Sequence, residues 1–189
     1  ISHEQLRKMN LELTPIESEQ YQKDAQDFSA FFASVYFQLV NEAIKRYDPN
    51  HLVLGCRFGG PPDEFILQAM KPWVDVISQN NYRAVMYERI DYLYRSVGLP
   101  VLIGEFSWNT DIIKKVPVHN EPDDGLNMKQ RMYSRGERVL KQAITHPAMV
   151  GYTWYRWVQP ASNDEKFTDG LVDYDDETDM HVEVLKEIN

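Results

Sequence analysis

Two apolar runs decide the fold of this chain: Val74-Asp-Val-Ile-Ser-Gln-Asn-Asn-Tyr82 and Pro100-Val-Leu-Ile-Gly-Glu-Phe106. Each is short and is followed by polar or aromatic side chains, which is typical of a buried strand that ends at a loop. Residues 84–97 lie between the two runs and predict a helix that stops at Gly98. The stretch therefore predicts one strand, one helix and the next strand.

The same alternation extends on both sides of this stretch. Upstream, the apolar residues Phe28, Phe31, Phe32, Val35, Tyr36, Leu39, Ala43 and Ile44 recur at helical spacing, which predicts a helix that buries this face. Asp63 is expected to cap a helix. The other predicted elements are a strand over 51–58, helices over 64–71 and 127–145, a strand over 149–157, and a last helix near 179–188.

Strand and helix alternate four times, which indicates parallel β/α units. A doubly wound open sheet also fits this alternation. However, no glycine-rich phosphate loop follows a strand, and polar and aromatic residues cluster where the strands end, as at the catalytic rim of a β/α barrel. At 189 residues the chain is shorter than the roughly 250 that a closed barrel usually needs, so we expect half a barrel and a missing partner segment.

Composition narrows the class of partner. The formal net charge of −9 opposes binding to a phosphate backbone, so no nucleic-acid partner is expected. No apolar run approaches the roughly 20 residues that span a bilayer, so no membrane partner is expected either. Cys56 is the only cysteine, which excludes an internal disulfide. The sequence leaves the cellular compartment open.

Four strand-terminal motifs carry a resemblance to a known family. They are Asp48-Pro-Asn-His-Leu-Val-Leu-Gly-Cys-Arg-Phe58, Asp75-Val-Ile-Ser-Gln-Asn-Asn-Tyr82, Pro100-Val-Leu-Ile-Gly-Glu-Phe106 and His146-Pro-Ala-Met-Val-Gly-Tyr-Thr-Trp154, followed by Gln159-Pro160 and Gly170-Leu-Val-Asp173. These resemble strands five to eight of clan A glycoside hydrolases, most closely the family 50 β-agarases and their β-galactosidase-like relatives. The resemblance implies a TIM (β/α)8 barrel in which residues 1–189 form the C-terminal half of a single catalytic domain, with the N-terminal half as partner.

Glu105 is the principal candidate for catalysis, because it directly follows an apolar strand and is expected at the open rim. The resemblance implies that Glu105 is the nucleophile of a retaining hydrolase. The alternative is a rim glutamate that forms an ion pair with an arginine. Retaining hydrolysis also needs a second carboxyl group about 5 to 5.5 Å away.

The resemblance implies that this second carboxyl group, the acid/base, belongs to an Asn-Glu pair after strand four. No such pair follows a strand-like run in residues 1–27. Asn41-Glu42 lies within the first predicted helix and is interpreted as a solvated pair. We therefore expect the acid/base outside this chain.

Tyr82 and Asn80 end the second strand. The resemblance implies that Tyr82 donates a hydrogen bond to the nucleophile, which would favour its charged form. Asn80 is expected to bind a sugar hydroxyl or to orient the loop. The alternatives are a half-buried aromatic residue with its hydroxyl in water, and an ordinary turn residue.

Aromatic and basic residues at the strand ends are candidates for sugar binding. The resemblance implies that Trp154 is the floor of the sugar site, because a flat ring suits the C–H face of a pyranose. Core packing is the alternative. Arg57 and Arg156 are expected to bind substrate hydroxyls or to pair with Glu105. Trp108 and Gln159 are further candidates for substrate binding.

Metal and cofactor motifs are not found in the sequence. The acidic run Asp173-Tyr-Asp-Asp-Glu-Thr-Asp179 lacks the glycine and the glutamate of a calcium loop, and the five histidines lack zinc-ligand spacing. We therefore expect no metal and no organic cofactor.

The sequence thus predicts a retaining glycoside hydrolase that cleaves β-glycosidic bonds in a galactose-containing oligo- or polysaccharide. Two alternatives stay open. One is a hydrolase of the same clan that acts on glucans or mannans. The other is a non-catalytic carbohydrate-binding half-barrel that closes its sheet by self-assembly.

Overall fold

The computed structural model describes residues 19–83, 85–107, 128–158 and 170–189. Helices and strands alternate along these ranges, so the predicted mixed α/β class is confirmed. In chain order the elements are α1 Glu19–Tyr47, β1 Arg57–Phe58, α2 Glu64–Met70, a 3-10 turn Lys71–Trp73, β2 Ile77–Asn80, α3 Tyr87–Val97, β3 Val101–Phe106, α4 Met128–Ile144, β4 Met149–Trp154 and α5 Met180–Ile188.

The four strands form one parallel sheet in the order β1, β2, β3, β4, so the predicted parallel arrangement is also confirmed. Sequence neighbours are neighbours in the sheet, and among the described strands the order does not reverse. A doubly wound sheet has such a reversal. The register places Asn80 opposite Glu105, and Phe106 opposite Trp154, so these residues lie together at the carboxyl ends of the strands.

The hydrophobic core lies between the sheet and the helices. Alternate strand residues such as Ile77, Val101 and Ile103 are fully buried there. They meet apolar side chains of α2, α3 and α4, among them Leu67, Leu93 and Leu140. Because this layer anchors the bases of β2 and β3, it fixes the position of their carboxyl ends. None of the described helices is both long and apolar enough to cross a membrane.

Helix α1 differs from its prediction in two ways. The described helix already includes the polar stretch 19–27, which precedes the apolar positions and is exposed. The predicted apolar face is present, but it is not the face through which the helix packs on the described residues. The helix packs through Ala33 and Phe37, whereas the predicted face is largely exposed, with exposed fractions of 67% for Phe28, 67% for Phe31, 63% for Phe32 and 61% for Leu39.

Strand β1 is shorter than the predicted strand over 51–58. Gly55 adopts φ +67°, which interrupts the extended conformation before Arg57.

Asp63 lies at the N-cap position of α2, but its side chain makes no capping hydrogen bond. The sequence predicts that Asn41 is solvated, but its Nδ2 donates to the carbonyl oxygen of Trp73 at 2.7 Å. Glu42, in contrast, is exposed as expected.

Candidate functional site

Glu105 lies at the centre of a cluster at the carboxyl ends of the strands. It is the fifth residue of β3, and its side chain is only 16% exposed. Three side chains from neighbouring strand ends contact its carboxylate. The Tyr82 hydroxyl and Asn80 Nδ2 donate to Oε2 at 2.6 and 2.7 Å, and Arg57 Nη2 lies 3.0 Å from Oε1. The negative charge is therefore compensated on both oxygens.

The alternative interpretation of Glu105 was a rim glutamate in an ion pair with an arginine, and the contact with Arg57 is such a pair. The contacts to Tyr82 and Asn80 go beyond that reading, because an ion pair needs neither of them. The alternative for Tyr82 was a half-buried ring with its hydroxyl in water. In the structure this hydroxyl donates to Glu105 instead. The carboxylate is thus held in one orientation by donors from β1, β2 and the turn after β2.

Gly104 makes the approach of Arg57 possible. A Cβ at this position would lie 2.6 Å from Arg57 Cδ and 2.5 Å from Ser78 Oγ. The carbonyl oxygen of Gly104 accepts a hydrogen bond of 3.2 Å from Arg57 Nη1, and a second one from the Thr153 hydroxyl. The arginine side chain therefore crosses β3 directly over this glycine.

Asn81 forms hydrogen bonds with the backbone of Glu105 and of Arg83. It was not among the candidates predicted from the sequence. It is 2% exposed, and its N–H donates to the Glu105 carbonyl oxygen at 2.9 Å. Its Oδ1 accepts from the Arg83 N–H at 3.1 Å, which fixes the turn that carries Tyr82. The run Asn80-Asn81-Tyr82 contained the signal, because a short polar side chain beside a strand end often holds the following turn.

Asn80 also carries a buried acceptor atom that has no partner among the described residues. Its Nδ2 is bonded to Glu105, but its Oδ1 is buried and has no hydrogen-bond partner among the described residues. A buried unpaired carbonyl oxygen costs about 1–3 kcal/mol. A hydroxyl donor from a bound ligand would remove that cost.

The remaining candidates for substrate binding make their described contacts with residues other than Glu105. Trp154 ends β4 with its ring partly covered, since it packs against Phe106 at 5.4 Å and His181 at 5.2 Å between ring centroids. The Arg156 guanidinium lies 5.5 Å from the centre of the Tyr155 ring, and among the described contacts the ion pair of Glu105 is with Arg57 and not with Arg156. Trp108 and Gln159 lie outside the described residues.

No group of three side chains in the described ranges is arranged to hold a metal ion. The acidic run that starts at Asp173 is instead organised by its own backbone. Asp173 Oδ1 accepts from the N–H groups of Asp175 and Glu177, and Asp179 caps α5 by accepting from the His181 N–H. These carboxylates have a structural role.

Comparisons with known proteins give one consistent answer. No model of a protein family matches this sequence. β-Agarase A of Vibrio sp. (strain JT0107) is 41% identical over 91 residues, which are 44% of this chain and 9% of that protein. β-Agarase B of the same organism is 25% identical over 153 residues, which are 75% of this chain and 15% of that protein. The matched part is thus less than a sixth of either relative's length.

Solved structures agree in fold. The agarase AgWH50C superposes with a TM-score of 0.72 at 24% identity, over 92% of this chain and 25% of that chain. An exo-β-agarase superposes with a TM-score of 0.70 at 24% identity, over 90% of this chain and 24% of that chain. In sequence, this chain is therefore similar to a part of two β-agarases, and in fold it is similar to a part of two solved agarase structures.

Proposed function

We propose that this chain forms strands five to eight, with their helices, of the (β/α)8 barrel of a retaining β-glycosidase. The strand order supports this proposal. Crossovers between parallel strands are almost always right-handed, so consecutive parallel strands with no order reversal carry all their helices on one face of the sheet. A sheet of this kind closes into a barrel when more units are added.

The uncovered surfaces match what an upstream half of the same domain would bury. Strands β1 and β4 are the two edges of the described sheet. A cleft of about 290 Å³ lies along the sheet, lined by side chains that include Leu54, Ser78 and Leu102. In a closed barrel this cleft would be part of the packed interior. The exposed face of α1 would pack against the preceding β/α unit.

The contacts of Glu105 are the observation that carries the proposed chemistry. A nucleophile must be ionised, oriented and accessible, and Glu105 has two hydrogen-bond donors, an arginine partner and a partly exposed side chain at the strand ends. One carboxylate oxygen would attack the anomeric carbon and form an ester bond. The glycosidic bond breaks, and the leaving oxygen takes the electron pair and a proton from the acid/base. Water then hydrolyses the ester.

The acid/base glutamate is proposed to lie in the upstream half, at the end of strand four. Strand four would neighbour β1 in a closed barrel, on the side where Arg57 approaches Glu105. The proposed separation of the two carboxyl groups is about 5 to 5.5 Å, the spacing of retaining enzymes. These 189 residues alone would therefore lack leaving-group protonation.

The proposed substrate is a β-linked galactan of the agarose type. Both Vibrio relatives are named β-agarases, and the first is 41% identical over its matched region. Trp154 is proposed as the platform for the reacting sugar, and the unpaired Asn80 Oδ1 as the acceptor for one of its hydroxyls. Arg57, Arg156, Trp108 and Gln159 are kept as proposed substrate contacts.

A direct test begins with the protein purified from its source, because catalysis depends on the upstream half. Its intact mass and N-terminal sequence are measured, and it is then incubated separately with oligosaccharides from agarose, a β-glucan and a β-mannan. We expect a longer chain with four more β/α units, cleavage of the agarose oligosaccharide, and products with retained β configuration by NMR. A folded protein of this mass alone that binds but cleaves none of the three would overturn the proposal in favour of the non-catalytic half-barrel.

A further inference from the structure

A second cleft lies beside the Glu105 site and has no role in the mechanism proposed above. Its volume is about 310 Å³, at the lower end of the roughly 300–1,000 Å³ typical of small-molecule sites. It is formed by the loop after β1, the turn after β2 and the first turns of α3. The Tyr92 hydroxyl donates to the Pro62 carbonyl oxygen at 3.0 Å, which holds the loop against the helix.

Two arginines, Arg83 and Arg89, line this cleft. Neither Arg83 nor Arg89 forms an ion pair with a carboxylate in the part of the chain that the structure describes, although Asp63 and Glu88 line the same cleft. Burial, and then the like charge of Arg83, lower the pKa of Arg89. The formal net charge of the whole chain is −9, so this pair of arginines is a local concentration of positive charge in an acidic protein.

The position of the cleft connects it to the proposed active site. Arg83 directly follows Tyr82, whose hydroxyl is 2.6 Å from Glu105 Oε2. Asn81 fixes the turn that carries both residues, because its side chain accepts from the Arg83 N–H. The lining of the cleft therefore includes the residue next to a direct contact of Glu105.

We propose that Arg83 and Arg89 bind an anionic substituent, a sulfate ester or a carboxylate, on a sugar unit next to the one that is cleaved. The planar guanidinium matches the spacing of two oxygens of either group. The carboxylates of Asp63 and Glu88 would accept hydrogen bonds from hydroxyls of the same sugar. Pro61 and the Tyr92 ring supply the apolar wall. This inference rests on the proposed function and adds a charged substrate class to it.

The test uses the full-length protein in a Glu105→Gln background, so that no probe is hydrolysed. Binding is measured by calorimetry at low ionic strength for a neutral agarose oligosaccharide, its monosulfated counterpart, a counterpart that carries one uronic acid, and inorganic sulfate alone. The variants are Arg83→Gln, Arg89→Gln and the double variant. Arg95→Gln is the matched control, because Arg95 lies on the same helix but is exposed and paired with Asp91 at 2.9 Å.

We expect a charged oligosaccharide to bind about tenfold more tightly than the neutral one, since charge-assisted hydrogen bonds are stronger than neutral ones and are only partly screened at low ionic strength. Each single variant should reduce this preference, the double variant should abolish it, and Arg95→Gln should keep it. An equal preference in the double variant would overturn the inference, as would no preference in the unsubstituted background. Binding of inorganic sulfate at the arginines without a preference among the sugars would also overturn it.

Failure of the proposed function gives a different result. If the neutral oligosaccharide does not bind to any variant, the neutral galactan is not the ligand of the Glu105 site. A charged oligosaccharide that still requires Arg83 and Arg89 would then support the arginine site alone.

Discussion

The Tyr82 hydroxyl donates a hydrogen bond of 2.6 Å to Oε2 of Glu105, although the two residues are 23 positions apart in the sequence. The contact exists because β2 and β3 are parallel neighbours, with Asn80 directly opposite Glu105. Asn80 Nδ2 donates to the same oxygen at 2.7 Å. Oε2 therefore accepts two hydrogen bonds, whereas Oε1 contacts Arg57 at 3.0 Å.

Replacing Tyr82 by phenylalanine tests this arrangement. A hydrogen bond to a charged group contributes about 1.5–3 kcal/mol, so kcat should fall by about tenfold to a hundredfold with little change in KM. Tyr155→Phe is the matched control, because the Tyr155 ring packs edge-on against Tyr82 at 6.5 Å between centroids. Steady-state kinetics on an agarose oligosaccharide would check it. An equal loss in both variants would show that Tyr82 acts only through packing.

Gly104→Ala tests the path of the Arg57 side chain. The added methyl group would lie 2.6 Å from Arg57 Cδ, so the arginine must move and its contact with Glu105 should be lost. Overpacking of this kind costs about 1–3 kcal/mol of stability. We expect a lower melting temperature together with a reduced kcat. Gly59→Ala is the control, since a Cβ there meets no atom within 4 Å. Unchanged kcat in Gly104→Ala would mean that Arg57 does not assist Glu105.

Trp154 requires two substitutions, because its ring packs on Phe106 and His181 as well as lying at the strand ends. Trp154→Ala should destabilise the fold by roughly 2 kcal/mol, since the residue is half-buried and full burial would cost more. Trp154→Phe keeps much of this packing but removes the indole N–H. It should raise the dissociation constant for an oligosaccharide several-fold at nearly constant melting temperature. Unchanged affinity in Trp154→Phe would leave this residue a core residue only.

Cys56 provides a test of the packing behind β1. The residue is half-buried, and burial raises the pKa of its thiol, whereas a backbone hydrogen bond acts in the opposite direction. At pH 8 the fraction of reactive thiolate should therefore be smaller than for a free cysteine. Iodoacetamide labelling followed by mass spectrometry should be several-fold slower in the native protein than in urea. Equal rates would show that the strand is not packed as described.

The sequence predicts those parts of the fold in which local pattern and tertiary contacts agree. Strand β3 was expected over residues 100–106 and is found at Val101–Phe106, because its alternate residues are buried against the helices. The predicted helix over 127–145 is found at Met128–Ile144. The position of Glu105 at the strand ends was predictable for the same reason, since Glu105 directly follows an apolar run in the sequence.

Other parts depend on contacts that a single sequence does not display. The apolar stripe through Phe28 and Leu39 predicts burial, but the side of α1 that packs in this structure is the one with Ala33 and Phe37. The role of Gly104 follows from the path of an arginine 47 positions earlier. Asn81 lies between two identified candidates, yet its importance comes from bonds to the backbone of β3 and of Arg83.

The most direct test of the central claim is to locate a covalent glycosyl label in the full-length protein. With a 2-deoxy-2-fluoro-β-galactosyl fluoride, a Glu105 oxygen would form the bond to the anomeric carbon as fluoride leaves, and the slow second step would trap the ester. Peptide mass spectrometry should place the label on Glu105. It should be absent in Glu105→Gln and present in Glu42→Gln, where the substituted carboxylate is exposed on α1. A label on another carboxylate, or one that persists in Glu105→Gln, would contradict the assignment of Glu105 as the nucleophile.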